Sequence, residues 1–441
     1  MESPERQLEP SEWHPFIGGA ARTMRLWIAA VLAGLLAAAA TQGFRALIES
    51  VEWLATGRTG GLVAVSESLA PWHRALVVAL GGLGAGLILR WGLRWAARGP
   101  RGAAHLDYME AAREGQYLLN DRTTIVRSLS ALLSVGTGAS IGKEGPMVQL
   151  SAWFASWLAR LYPLSADERN AILVCGIAAG IGSAYHAPVA GVVFVLELAL
   201  GHFARHTIAP VLIAAATSSA LIYWLVEPKP LYVMPSVALV PTSLGVAIAA
   251  GIVCGGIGWA LLELLERCRK LFGLIDSLPR RLALGGVMVG LISAAVPDVW
   301  GNGYSVVSEV LQGNMAWDWV AVIMAAKVLA TVLSSGSGAI GGVFTPTLFV
   351  GATSGYLLAQ LASFGFDPAL VGDPRVLAVI GMAAVLAAVT HAPLMAIVMV
   401  LEMTNQFQLT VPVMLACGVA YAISTQFGAR PLYGNPIEAH R

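Results

Sequence analysis

Charge is what this sequence has least of. Only 12% of its 441 residues are Asp, Glu, Lys or Arg, where a soluble domain carries roughly 25%. With a 57% hydrophobic share and a mean hydropathy of +0.70, an ordinary soluble fold is excluded, and a polytopic all-α membrane protein remains. The weak alternation in segments of about ten residues that marks a membrane barrel is missing. A net charge of +1 offers no footprint for nucleic acid. Cysteine is scarce too. Cys175, Cys254, Cys268 and Cys417 lie far apart, no pair has metal-ligand spacing, and they read as small core residues. The N-terminus lacks the basic start and apolar core of a signal peptide. It carries Glu2, Glu5, Arg6, Glu9 and Glu12 instead, so it is expected to be kept.

What the chain has in quantity is apolar runs broken by glycine and proline. Residues 1–21 read as a short aqueous arm. A first span begins near Met24, and a second covers Ala75–Ala97. Arg22 and Arg25 precede the first, and Arg90, Arg94, Arg98 and Arg101 close the second, which puts both of those ends in the cytoplasm. Residues 102–124 form a polar connection. Ile125–Val135 and Ala171–Ala184 are too short to span alone, since a crossing helix needs about 20 residues. The last span is expected over 411–427.

The second half repeats the first. Gly81-Gly82-Leu83-Gly84 is echoed by Gly285-Gly286-Val287-Met288, Gly136-Thr137-Gly138-Ala139 by Gly336-Ser337-Gly338-Ala339, and Pro146 by Pro346. His186-Ala187-Pro188 returns as His391-Ala392-Pro393, and Glu197 as Glu402. The offset stays between 200 and 205, which chance matches would not hold. Duplicated halves with interrupted helices are the pattern of secondary transporters and related channels. Repeat one is placed at about 22–226 and repeat two at about 240–427, within one transmembrane domain over 22–430 that is followed by a short tail, 431–441.

The chemistry is expected at residues 136–150, where four glycines and Pro146 surround Lys143 and Glu144. Irregular backbone at membrane depth is tolerated only where it is buried in protein or lines a cavity, and an ionisable residue there points to function. Pro146 suits the first position of a helix. The amides of Lys143–Gly145 would then form an anion site at a helix N-terminus, for which the Glu144 carboxylate and a bound anion compete. Pro346 marks a matching helix start. There Phe344 stands in place of Glu144, so only one repeat brings a carboxylate. Lys143 reads as a paired structural charge or a snorkelling one. His186 and His391, at helix breaks, read as structural caps, and the duplicated Glu197 and Glu402 read as sharing a structural task, capping or an interface hydrogen bond. Tyr433, just past the last span, reads from the residues alone as an interface anchor.

Gly142-Lys143-Glu144-Gly145-Pro146 resembles the G-(K/R)-E-G-P signature of the CLC chloride channel and transporter family. Gly342-Val343-Phe344-Thr345-Pro346 resembles that family's G-x-F-x-P signature, and Ala187-Pro188-Val189-Ala190-Gly191 and Pro431-Leu432-Tyr433 also fit. Asp107-Tyr108-Met109-Glu110-Ala111 resembles the bacterial ClcB-type branch. The resemblance spans about 22–436. It implies a CLC-type fold of two inverted repeats with tilted and re-entrant helices, in a bacterial inner membrane, with both termini cytoplasmic and no CBS domains. It implies a homodimer with one pore per subunit, meeting on about Val189–Leu200, Thr207–Leu225, Pro393–Glu402 and Val411–Gln426.

The resemblance also implies chloride as the transported ion and no cofactor or metal. Glu144 becomes the gating glutamate, and the anion lies against the main chain at Lys143, Gly145, Val343, Phe344 and Thr345, closed off on the inner side by the Tyr433 hydroxyl. Two positions depart from the family pattern. Its first signature carries an anion-contacting serine, and counting back from Glu144 puts Ala103 there. Its antiporters carry an inner proton-feeding glutamate after the residue matching Glu197, where this chain has Leu198. The expected activity is therefore a voltage- or pH-gated chloride channel, with chloride/proton antiport as the alternative and fluoride export more remote. An intramembrane enzyme pairing Glu144 with His186 finds little support, because His391 has only Phe344 to match it. The chain is read as no enzyme.

Overall fold

In lipid every backbone polar group must find a partner inside the protein, so an apolar chain of this length has to be helical. The computed structural model describes residues 14–98, 107–200, 205–225, 229–235, 237 and 243–434. The first half runs α1 (His14–Thr56), α2 (Leu62–Ser68), α3 (Pro71–Ala96), α4 (Tyr108–Arg113), α5 (Asp121–Gly136), α6 (Glu144–Leu161), α7 (Ala166–Tyr185), α8 (Pro188–Phe194) and α9 (Arg205–Leu225). A π-helical turn, Val195–Ala199, extends α8. The second half runs α10 (Ser243–Gly273), α11 (Leu278–Ala295), α12 (Tyr304–Gln312), α13 (Trp317–Gly336), α14 (Phe344–Ser363), α15 (Pro368–Val371), α16 (Pro374–Thr390), α17 (Pro393–Thr404) and α18 (Thr410–Gln426). Among the described residues seven helices are long and apolar enough to cross a membrane, while α8 with its π turn, α16 and α17 are apolar but shorter.

Several boundaries differ from the sequence expectation. The arm expected over 1–21 is helical from His14 and continuous with the first span. Residues 1–13 lie outside the described residues. The segment between the first two spans holds the short helix α2, and the connection over 102–124 holds α4. Six or seven residues are too few to show a periodicity of 3.6.

The halves form inverted repeats that complete one another. Leu394 and Met395, at the start of α17, donate their amides to the Glu197 carboxylate at 3.2 and 2.7 Å. Val189 and Ala190, at the start of α8, donate theirs to Glu402 at 3.1 and 2.7 Å. Each glutamate caps the short helix of the other repeat, which is why both are duplicated. His186 and His391 are the left-handed C-caps of α7 and α16, with φ of 55° and 56°. The cap geometry turns the chain into Pro188 and Pro393, which open the next helices.

Small residues let the helices touch through their backbones. A β-carbon on Gly286 of α11 would come 2.7 Å from the Val78 carbonyl oxygen of α3. In the α14–α16 pair Gly351 and Gly381 face each other, and a β-carbon on either would strike the other's carbonyl oxygen. All four cysteines are free and buried, in keeping with a packing role.

Gly381→Ala is expected to destabilise the fold by about 1–3 kcal/mol, the range for overpacking a tight contact. The check is the thermal midpoint of the purified protein in detergent. Gly256→Ala, with open space around the site, is expected to leave that midpoint unchanged.

Candidate functional site

The two glycine-rich loops meet at the centre of the molecule. Gly138 and Gly338 take the left-handed conformation at matching places, with φ of 93° and 95°. The Ser140 amide donates to Ser334 Oγ at 3.1 Å, and the Ser140 and Thr331 hydroxyls lie 3.1 Å apart. The Gly142 amide then donates to the Gly342 carbonyl at 2.7 Å, and the Gly342 amide to the Gly142 carbonyl at 2.8 Å. This antiparallel bridge sets the start of α6 beside the start of α14.

Those helices begin at Glu144 and Phe344, with Lys143 and Val343 as N-caps. Pro146 and Pro346 are thus third residues rather than first, and the helices start earlier than the prolines suggested. A missing N–H does no harm anywhere in a first turn, where no intrahelical acceptor exists. Neither N-terminus has a side-chain cap, so the first-turn amides keep their donors for another partner. With the positive ends of two helix dipoles this makes one junction that favours negative charge.

Glu144 meets that field in this structure. It is 5% exposed. Its Oε1 accepts from Asn302 Nδ2 at 2.6 Å, while Oε2 is buried without a hydrogen-bond partner and lies over Gly142, whose missing side chain makes room for it. On one side of Glu144 is a vestibule of about 760 Å³. On the other is a chamber of about 20 Å³, enough for one water-sized occupant, which needs about 10–15 Å³. Among the described residues Glu144 alone lines both. At the far end Tyr108 and Tyr433 line the chamber together with two further cavities of about 440 and 390 Å³. A file of cavities that share lining residues thus crosses the junction, with a carboxylate at one end of the chamber and two phenols at the other.

The other expected site residues are distributed along this file. Gly145 and Phe344 line the chamber, Thr345 the vestibule, and Val343 the larger cavity at the Tyr433 end. Lys143 lines the vestibule with Arg45, Glu49 and Glu52. Tyr433 is not an edge anchor. Leu432 donates its amide to the Val389 carbonyl at 3.0 Å, and the Tyr433 ring packs edge-on against Phe194 with centroids 5.7 Å apart. Leu198 is 2% exposed in the π turn. Its carbonyl accepts from Arg113 Nε and Nη2 at 3.3 and 3.2 Å, and its side chain has no titratable atom. Ala103 lies outside the described residues.

Two residues of the file were not expected. Tyr108 opens α4, set by the Asp107 carboxylate, which accepts from the Met109 amide at 2.8 Å, and by its own amide donating to Gln149 Oε1 at 3.1 Å. The signal was an Asp in N-cap position before a short apolar patch. Asn302, the partner of Glu144, lies 158 residues away with no motif around it.

The chain matches the family described as voltage gated chloride channel over residues 81–425. It belongs to the CLC family. Its relatives place it in the bacterial ClcB-type branch. It is 44% identical over 421 residues to a putative chloride channel protein, ClcB-like, of Ralstonia nicotianae, covering 93% of this chain and 96% of the relative. It is 39% identical over 433 residues to the voltage-gated ClC-type chloride channel ClcB of Salmonella typhi, covering 94% and 100%.

The fold of this CLC protein resembles the crystal structure of a slow cyanobacterial Cl−/H+ antiporter, with a TM-score of 0.80 at 22% identity, covering 93% of this chain and 96% of that one. It resembles a CLC-type fluoride/proton antiporter with a TM-score of 0.75 at 24% identity, covering 92% and 96%. Anion transport by a multi-pass membrane protein is the family activity, and the relatives are channels and transporters rather than enzymes.

Proposed function

We propose that this CLC protein passes chloride along the file from the Lys143 vestibule to the Tyr433 cavities, with Glu144 as its gate. The observation that carries this reading is that Glu144 alone borders both the vestibule and the chamber. Ionised, the carboxylate fills the place where two helix N-termini favour an anion. Neutral or displaced, it leaves that place to chloride, held by the main chain at Lys143, Gly145, Val343, Phe344 and Thr345. Tyr433 closes the inner side. The hydroxyl that Ala103 cannot supply comes, in this reading, from Tyr108.

Leu198 favours passive gated conduction, because a charged group inside a bilayer is costly and is kept where protons need it. Exchange of chloride for protons is the second reading. Its support is the cavity at the Tyr433 end that Asp107, Glu110 and Glu114 line with Arg113, an approach to the chamber in which carboxylates outnumber the one cation and Leu198 takes no part. We further place the protein in the inner membrane as one transmembrane domain with cytoplasmic termini, forming a homodimer. Val189, Leu212, Leu394, Val411 and Met414 expose apolar side chains on α8, α9, α17 and α18, the faces that would meet.

Glu144→Gln is expected to remove most of the pH dependence of chloride flux from liposomes, and unchanged pH dependence overturns the gate. For the mechanism, the measurement is the reversal potential of a reconstituted bilayer under a tenfold proton gradient with symmetric chloride. Conduction gives no shift. Exchange gives tens of millivolts, because a tenfold gradient is worth about 1.4 kcal/mol against roughly 2.3 kcal/mol per 100 mV. For assembly, cysteine pairs introduced at Leu212 and Val411 are expected to cross-link in bilayers, and a monomeric mass there rejects the dimer.

A further inference from the structure

Lys327 of α13 is fully buried. An ammonium group in such surroundings is costly unless all its donors are satisfied. It has three donors, and they go to three successive carbonyls, those of Val299 at 2.7 Å, Trp300 at 3.2 Å and Gly301 at 2.7 Å. The next residue is Asn302, whose amide holds Glu144.

The turn is fastened on its other sides as well. Trp300 is fully buried and lies against Gly138, where a β-carbon would collide with the indole. Gly303, with φ of 89°, lies against the Phe349 ring, 2.9 Å from where its β-carbon would be. The Asn302 Oδ1 accepts the Tyr304 amide at 3.1 Å, which fixes the orientation of the side-chain amide and leaves Nδ2 for the carboxylate. A lysine that does not itself line the vestibule thus reaches it through one turn, whose Trp300, Gly301 and Asn302 do.

We propose that Lys327 is a positioning residue for the gate: by fixing the carbonyls of Val299, Trp300 and Gly301 it holds Asn302 where its amide clamps Glu144 between vestibule and chamber. The inference rests on Glu144 being the gate. An N–H donated to a carboxylate favours its charged form. Loss of the clamp therefore weakens the hold that keeps the carboxylate in its place between vestibule and chamber.

The other groups facing Glu144 are Arg45, Glu49 and Glu52 of α1, Lys143, His186, and the phenols of Tyr108, Tyr185, Tyr232, Tyr304 and Tyr433. Asp298 lies in the turn beside Lys327. All are common to the variants below, so a difference between variants reports the clamp.

The test is chloride flux from liposomes over a pH series, using wild type, Asn302→Leu, Lys327→Met, Lys327→Arg, the Asn302→Leu/Lys327→Met double variant and Glu144→Gln. Asn302→Leu and Lys327→Met are each expected to raise the midpoint of acid activation by about one pH unit, tenfold in proton concentration. The double variant is expected to shift no further than either single one, because the two act through one contact. Lys327→Arg keeps the charge and the donors and is expected to stay near wild type.

A wild-type midpoint in Asn302→Leu overturns the clamp, and that variant decides the matter even where Lys327→Met fails to fold. Full additivity in the double variant, or an Arg variant as shifted as the Met one, overturns the positioning role. If wild type and Glu144→Gln share one pH profile, the gate itself falls and this inference falls with it, an outcome distinct from a failed clamp.

Discussion

Two hydrogen bonds between Gly142 and Gly342 carry the architecture of the centre. Loop backbone deep in an apolar molecule needs partners, and here each loop is the partner of the other. The glycines leave room for it, with least to spare at Gly142. A β-carbon on Gly342 would sit 3.3 Å from the Gly145 amide nitrogen, and one on Gly142 would come 2.9 Å from the Gly342 carbonyl oxygen and displace the Glu144 carboxylate. Because the bridge joins the starts of α6 and α14, the positive ends of both helices face one place. The chamber, the buried carboxylate and the file of space on either side follow from that placement.

Around this near-symmetric frame the differences between the repeats are where the chemistry lies. What is shared is structural: the bridging glycines, the left-handed histidine caps and the crossed glutamates. What is not shared lines the file or supports it. Glu144 has Phe344 as its counterpart. Lys327 has Arg127 at the same offset of 200 as the paired loops, yet Lys327 is sealed beneath the turn of Val299–Gly301 while Arg127 lines the cavity at the Tyr433 end. An inverted repeat puts matched positions on opposite sides of the membrane, so one ancestral pattern serves two different environments.

Much of this was legible in the sequence. The constant offset exposes the repeats, and Gly-Pro loops inside apolar runs locate the junction. The structural reading of His186, His391, Glu197 and Glu402 came from their duplication alone, and the crossed hydrogen bonds give its reason. Helix starts were misread at Pro146 and Pro346 because proline is tolerated throughout a first turn, not only at its opening. The residues around Tyr433 alone point to an edge anchor, which only the family resemblance revised, because a tyrosine after a last span has the same local sequence whether it faces lipid or turns inward. Asn302 left no local signal, whereas Lys327, a charge deep in the apolar run of α13 with the basic Arg127 as its counterpart, left one that was passed over. Each matters only through a partner more than twenty residues away.

The crossed caps of Glu197 and Glu402 also bear on how the molecule is made. Synthesis delivers the N-terminal half first. When α8 leaves the ribosome, the residue that will satisfy its first amides lies some two hundred positions downstream, and Glu197 has a carboxylate but no helix to cap. The same holds for Gly142 itself, whose backbone amide and carbonyl pair with Gly342 among the described residues. The first repeat therefore cannot reach its final state in the membrane alone. Those groups gain their native partners only when the second repeat is made, and its completion satisfies both halves at once.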